Sequence, residues 1–237
     1  MEHKILAIIP ARGGSKGVKR KNLRILGNKP LINWSIEEVK KSKLINKIVV
    51  STEDDEIAQV SENAGVCVIK RPMELALDDS PTIEAIIYTL DKLKNQNYIP
   101  DYVMLLQCTT PFRTSKDIDN AIKLLIENEK KADSLISVSL EESIPYWLKT
   151  IDNDGVLYDF IKYDKKKFTR RQDFKKVYRL NGAIYISKID KIYENRSFES
   201  KRTMSYIMDK QSSIDIDTEN DLNYAEFILN NYINYAD

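Results

Sequence analysis

Five short apolar runs, KILAIIP (4–10), KIVVST (47–52), VCVIK (66–70), DYVMLLQ (101–107) and SLISVSL (134–140), are spaced by stretches of helical periodicity. Runs of this length and aliphatic content read as strands covered on both faces. Between them, PLINWSIEEVKKS (30–42) opens on a proline, and EDDEIAQVSENAG (53–65) has acids at its start and Gly65 as its stop. A third helix is predicted from Pro81 to about Asn97, and a fourth over 114–130, with Thr114 as cap and Asp117 in its first turn. Strand–helix alternation demands right-handed crossovers, so the expected fold is α/β, a doubly wound, mostly parallel sheet.

The rhythm breaks after residue 140. Residues 141–180 are aromatic, charged and without a clean period. Regular patterning returns with strands at AIYIS (183–187) and SSIDID (212–217), then a final helix over 218–235 with Leu222, Ala225, Leu229, Tyr232 and Ile233 on one face. With 237 residues and no repeat or low-complexity linker, the chain reads as one domain over 1–237 with 141–180 as an excursion.

The chemistry concentrates where the first strand ends. AIIPARGGSKGVKRKN (7–22) holds three of the seven glycines, and the span between Glu2 and Glu37 carries eight Lys or Arg without one acid. A glycine-rich turn at the carboxyl edge of a parallel sheet offers backbone N–H groups and cations to an anion. Arg12, Lys16 and Lys21 could all face one polyphosphate, although a solvated basic loop would look the same. Neither a Walker A loop nor G-x-G-x-x-G fits. In SIDIDTE, strand alternation would put Asp215 and Asp217 on one side, about 7 Å apart, suited to magnesium, while Thr218 caps the helix that follows. Three further stretches carry weaker signals: LLQCTTPFR (105–113), RPMELALDDSPT (71–82), and TRRQDFKKVYRLNGAIY (169–185) with Arg170, Arg171 and Arg179.

A formal charge of +1 excludes a general nucleic-acid binder, so the basic cluster calls for a small anion. His3 is the only histidine, which excludes a histidine base or histidine-held zinc. Cys67 and Cys108 read as small core residues in a reducing compartment. With no leader before the first strand and no apolar run of about 18 residues, a cytoplasmic, unanchored protein is expected, with no membrane partner.

IPARGGSKGVKRKN, RPMELA, LLQCTTPFR, YRLNGAIYI and SIDIDTE, in this order, resemble the acylneuraminate cytidylyltransferase (CMP-sialic acid synthetase) family along essentially the whole chain. The resemblance implies a Rossmann-like nucleotidyltransferase sheet and a homodimer whose protruding segment reaches the partner's pocket. It also implies magnesium-dependent transfer of CMP from CTP to the anomeric hydroxyl of a nine-carbon α-keto acid sugar. It assigns Arg12, Lys16, Lys21 and Asn22 to the nucleotide and its phosphates, and Arg71 and Thr82 to the cytidine moiety. Gln107 and Tyr185 fall to the sugar, with Arg171 and Lys149 as basic residues lent by the partner; Arg179, from the basic stretch itself, is counted with the sugar contacts too. Asp215 and Asp217 fall to magnesium, and Asp217 or a metal-bound hydroxide to the anomeric proton. Cys108, Thr110 and Phe112 depart from the family's Q-P-T-S-P-L-R, and Thr82 stands where serine is common; all lie on the sugar and ribose side. Other readings of the same residues are a nucleotidyltransferase for 3-deoxy-octulosonate or a sugar 1-phosphate, a D-x-D glycosyltransferase, and a nucleotide sensor.

Overall fold

Strand β1 (Ile5–Pro10) sets the layering. Its alternate side chains face opposite ways: Ile5, Ala7 and Ile9 join one apolar cluster, while Leu6 and Ile8 join another. Both faces must therefore be covered, as the uninterrupted aliphatic run requires. The structure, a computed structural model, describes residues 3–167 and 169–233, without the side chains of Tyr232 and Ile233. Phe168 and the last two residues of the expected terminal helix lie outside the described residues.

After β1 come a small antiparallel pair, β2 (Ile25–Leu26) and β3 (Lys29–Pro30), and helix α1 (Leu31–Lys41). Then follow β4 (Lys47–Thr52), α2 (Asp55–Asn63), β5 (Cys67–Lys70), α3 (Thr82–Asn95), β6 (Tyr102–Leu105), α4 (Ser115–Glu127) and β7 (Ser134–Leu140). The expected boundaries hold to within a few residues, and local chemistry explains why. Asp54 caps α2 by accepting from the N–H groups of Glu56 and Ile57, and Gly65, at φ 75°, follows its end. Thr114 and Asp117 form a capping box on α4. Helices α1, α2 and α4 cover one sheet face and α3 the other.

The excursion leaves after β7 as a short hairpin, β8 (Lys149–Ile151) with β9 (Leu157–Asp159), and rejoins the sheet at β10 (Tyr178–Lys188). Helix α5 (Ile189–Asn195), strand β11 (Thr203–Met208) and helix α6 (Glu219–Ile228) complete the chain. The seven-stranded sheet has the order β11-β7-β10-β6-β1-β4-β5, with β10 alone antiparallel to its neighbours. The chain steps outward from β1 through β4 to β5, then returns to the other side of β1 at β6. That reversal opens a crevice at the carboxyl ends of β1 and β6.

Three expectations need correction. SSIDID pairs with no strand: Ser212 and Ser213 lie in a turn, and the Ile216 N–H goes to the Thr109 carbonyl (2.8 Å) in the loop after β6. The strand at that end of the sheet is instead β11, parallel to β7. AIYIS is the second half of a longer strand, so the excursion ends before Tyr178. Cys108 is buried as expected, whereas Cys67 is exposed on edge strand β5. Among the described residues no helix is long and apolar enough to cross a membrane.

Candidate active site

The crevice is a cleft of about 540 Å³ at the carboxyl edge of the sheet. The glycine loop after β1 supplies Arg12, Lys16 and Lys21; the segment after β5 supplies Arg71, and the start of α3 supplies Thr82. Gln107 enters from just past the end of β6, Asp215 and Asp217 from the irregular stretch before α6, and Asn22 completes the wall. Segments about two hundred positions apart in sequence thus face one another.

The loop is anchored at several points. Arg20, in the left-handed region at φ 56°, pairs with the α2 cap Asp54 (2.5 Å) and with Glu56 in its first turn (2.5 Å). Buried Asn22 donates from Nδ2 to the Arg12 carbonyl (2.9 Å). Lys21 Nζ donates to the Ile216 carbonyl (2.8 Å) and to Asp217 Oδ1 (3.0 Å). A Cβ on Gly17 would lie 2.0 Å from the Asp217 carbonyl oxygen, so glycine is what lets the loop press against the aspartate segment.

Two acids to which the sequence analysis assigns no role at the site organise these cations. Asp78 bridges Arg12 Nη1 (3.1 Å) and Lys16 Nζ (2.6 Å), and the Lys16 ammonium chiefly holds its carboxyl below the usual range. It is half exposed, so a stronger anion can displace it. Glu53 is buried: its Oε2 accepts from Arg71 Nε (3.1 Å) and Nη2 (3.0 Å), and its Oε1 from the Gly13 N–H (2.6 Å). One carboxylate therefore ties the glycine loop to Arg71. Glu53→Gln should lower unfolding free energy by about 1–3 kcal/mol, because it leaves a buried guanidinium against a neutral amide. Urea denaturation of the variant measures this, and a midpoint equal to that of the unsubstituted protein would refute the anchoring role.

Asp215 and Asp217 do alternate with buried Ile214 and Ile216, which pack into the cluster of Val18, Leu26 and Leu222. The expected facing thus holds without a strand. Asp215 Oδ1 is buried with no hydrogen-bond partner. Burial pushes its carboxyl up from the ordinary value, Asp217 adds to this, and a hydrogen bond with Thr109 opposes it. A starved carboxylate oxygen beside a second carboxylate is suited to a hard divalent cation. Among the described residues no cluster of three or more acidic, histidine or cysteine side chains forms a ready-made cage, so the remaining oxygens would have to come from a ligand.

The expected sugar-side residues divide. Gln107 lines the cleft. Tyr185, on β10, lies outside its lining: it packs edge-on to Phe198 (6.1 Å between centroids), and burial raises its hydroxyl, with Asp215 adding to this. Arg179 is near enough to stabilise the Asp215 carboxylate, but its contacts are Ser139 Oγ (3.4 Å) and Glu141 (3.9 Å). Lys149 pairs with Asp159 within the β8–β9 hairpin, and Arg171 donates to the Glu142 carbonyl beside a separate cavity. Within one chain, neither Lys149 nor Arg171 reaches the cleft.

This sheet, reversal point and cleft define an α/β protein of the nucleotidyltransferase type. A solved CMP:2-keto-3-deoxy-manno-octonic acid synthetase in complex with CTP shares the fold, with a TM-score of 0.71 at 16% identity over 96% of this chain and 98% of that one. A cytidylyltransferase from Leptospira borgpetersenii gives a TM-score of 0.63 at 19% identity, over 97% and 88% of the two chains. The family model described as cytidylyltransferase matches residues 6–233, and the chain belongs to that family. Among curated relatives, a CMP-N,N'-diacetyllegionaminic acid synthase from Legionella pneumophila is 36% identical over 95% of this chain and 96% of its own length. The post-translational flagellin modification protein B of Campylobacter coli is 35% identical over 95% and 94%. An N-acylneuraminate cytidylyltransferase from Escherichia coli is 34% identical over 95% of this chain, which spans 52% of the length of that relative.

Proposed function

We propose that the protein transfers CMP from CTP to the anomeric hydroxyl of a nonulosonic acid, releasing pyrophosphate. The observation that carries this reading is the meeting of Lys21 with Asp217 across a cleft that also holds Arg12 and Lys16. Relatives named for N-acylneuraminate, N,N'-diacetyllegionaminic acid and pseudaminic acid support the acceptor class.

In this reading the anomeric oxygen attacks the α-phosphorus, the bond to the bridging oxygen breaks, and pyrophosphate departs. Negative charge grows on the phosphoryl and departing oxygens, where Arg12, Lys16 and Lys21 are already placed to stabilise it. The triphosphate would take the two cations that Asp78 now holds. Arg71, fixed by Glu53, and Thr82 would receive the cytidine moiety. Asp215 and Asp217 would hold magnesium, which supplies charge neutralisation on the phosphate oxygens. Asp217, the exposed member of the pair, would accept the anomeric proton. Near-full turnover by Asp217→Asn under saturating magnesium would remove that role; the expected outcome is a large loss of kcat.

A homodimer fits the same reading. The excursion exposes Trp147, Leu157 and Phe160, an apolar surface a second copy could cover while Arg171 and Lys149 reach the partner's sugar site. A cytoplasmic location is proposed too, since CTP is made there. The test is direct. Purified protein with magnesium is given each nucleoside triphosphate and N-acetylneuraminate, legionaminate or pseudaminate, and pyrophosphate is measured. CTP alone should turn over, with one acceptor preferred; release with another triphosphate, or with none of these acceptors, would refute the reading.

A further inference from the structure

Arg113 heads the fully buried side chains in size, yet none of its hydrogen-bond partners is a carboxylate. Its Nη1 donates to the carbonyls of Gln107 (3.2 Å) and Ala183 (2.8 Å), its Nη2 donates to Ser35 Oγ (2.8 Å), and its Nε is buried without a partner. Burial pulls the guanidinium pKa down to about 10, which still leaves it charged at neutral pH. A buried cation whose nearest carboxylates, Asp117 and Glu38, act on it without contact is costly, and a neutral side chain would fill the same volume at less expense.

The two carbonyls it bridges explain the placement. They flank the point where β6 ends and where β10 loses register between Leu180 and Tyr185. Gly182 sits in that irregularity at φ 73°, and a Cβ on it would lie 2.8 Å from Gln107 Oε1, 3.4 Å from Thr110 Oγ1 and 3.9 Å from Asp215 Oδ2. Next to it, buried Asn181 locks the backbone: Oδ1 accepts from Ser137 Oγ (2.5 Å) and Nδ2 donates to Ser213 Oγ (2.9 Å). The side-chain amide of Gln107 therefore faces a bare stretch of β10 backbone, and one guanidinium fixes both walls.

We propose that Arg113 is a positioning residue for the sugar acceptor: by joining the Gln107 and Ala183 carbonyls it sets the aim of the Gln107 amide. This rests on the reading that Gln107 contacts the sugar. Arginine is needed because its planar fork spans two backbone acceptors and a hydroxyl at fixed angles, which an ammonium cannot do.

The test is steady-state kinetics on the full chain with magnesium, varying CTP and the preferred nonulosonate separately. Arg113→Lys keeps the charge and loses the bridge; the expected result is a rise of about tenfold or more in the sugar KM, since small misplacements of a positioning group cost that much. The KM for CTP should stay within about twofold, and the melting temperature close to that of the unsubstituted protein, because the phosphate cradle does not depend on the bridge. An unchanged sugar KM, or equal rises in both KM values, would overturn the proposal. Should Arg113→Lys fail to fold, Ser35→Ala decides by the same split, because it removes the one hydroxyl that accepts from Arg113 Nη2 (2.8 Å) and donates to the Gln107 carbonyl (3.4 Å). An unsubstituted protein that turns over no nonulosonate would instead defeat the proposed function, and this inference with it.

Discussion

Lys21→Ala is expected to lower kcat by about 10²–10³, equivalent to about 3–4 kcal/mol of transition-state stabilisation. The Lys21 side chain is mostly buried (14% exposed) yet lines the cleft, and its ammonium meets both the Ile216 carbonyl and Asp217. A cation held so closely needs no reorganisation as charge develops on the phosphoryl oxygens, which is what makes it worth more in the transition state than in the ground state. Because Lys21 also joins the glycine loop to the Asp217 segment, Lys21→Met serves as the control for side-chain volume. Both variants should fold, bind CTP more weakly and release pyrophosphate slowly. A kcat within fivefold of the unsubstituted protein for either variant would mean that the cradle is not built around this lysine.

Asp215→Asn is expected to lower kcat by about a thousandfold, or about 4 kcal/mol, the scale of losing a cation that neutralises phosphoryl charge. Its effect on stability has the opposite sign. The folded protein raises the Asp215 carboxyl above its ordinary value, chiefly by burial and then by Asp217, so at neutral pH the ionised group opposes folding. Removing the charge should leave the ligand-free variant melting at or above the unsubstituted protein. Magnesium with CTP should raise the melting temperature of the unsubstituted protein and not that of the variant. A variant that melts lower and keeps its activity would show Asp215 to be a structural residue.

These two residues show how far local sequence carried the site. The cations after β1 were legible because three glycines and an acid-free basic run follow a buried strand, and every one of Arg12, Lys16 and Lys21 lines the cleft. The aspartates were legible through alternation with Ile214 and Ile216, although the strand assumed for them does not form. Alternation reports which side of an extended chain is apolar; it does not report what the backbone bonds to. Strand β11 escaped for the converse reason. Its burial alternates, but outward-facing Ile207 is as apolar as its inward-facing neighbours Tyr206 and Met208, so the residue types lack a clean period of two.

Sequence alone determined the alternating elements, the helix caps at Thr114 and Thr218, the acids and Gly65 that bound α2, and the chemical character of both cleft walls. Such features are written in neighbours a few positions apart, where propensity and periodicity act. Tertiary structure alone decided that Asp78 would occupy two cleft cations, that Glu53 would clasp Arg71 to the glycine loop, and that Arg113 would lie buried across two strand ends. Asp78 and Arg113 could equally have been solvated loop charges, because the energy that fixes them comes from partners brought close only when the sheet assembles.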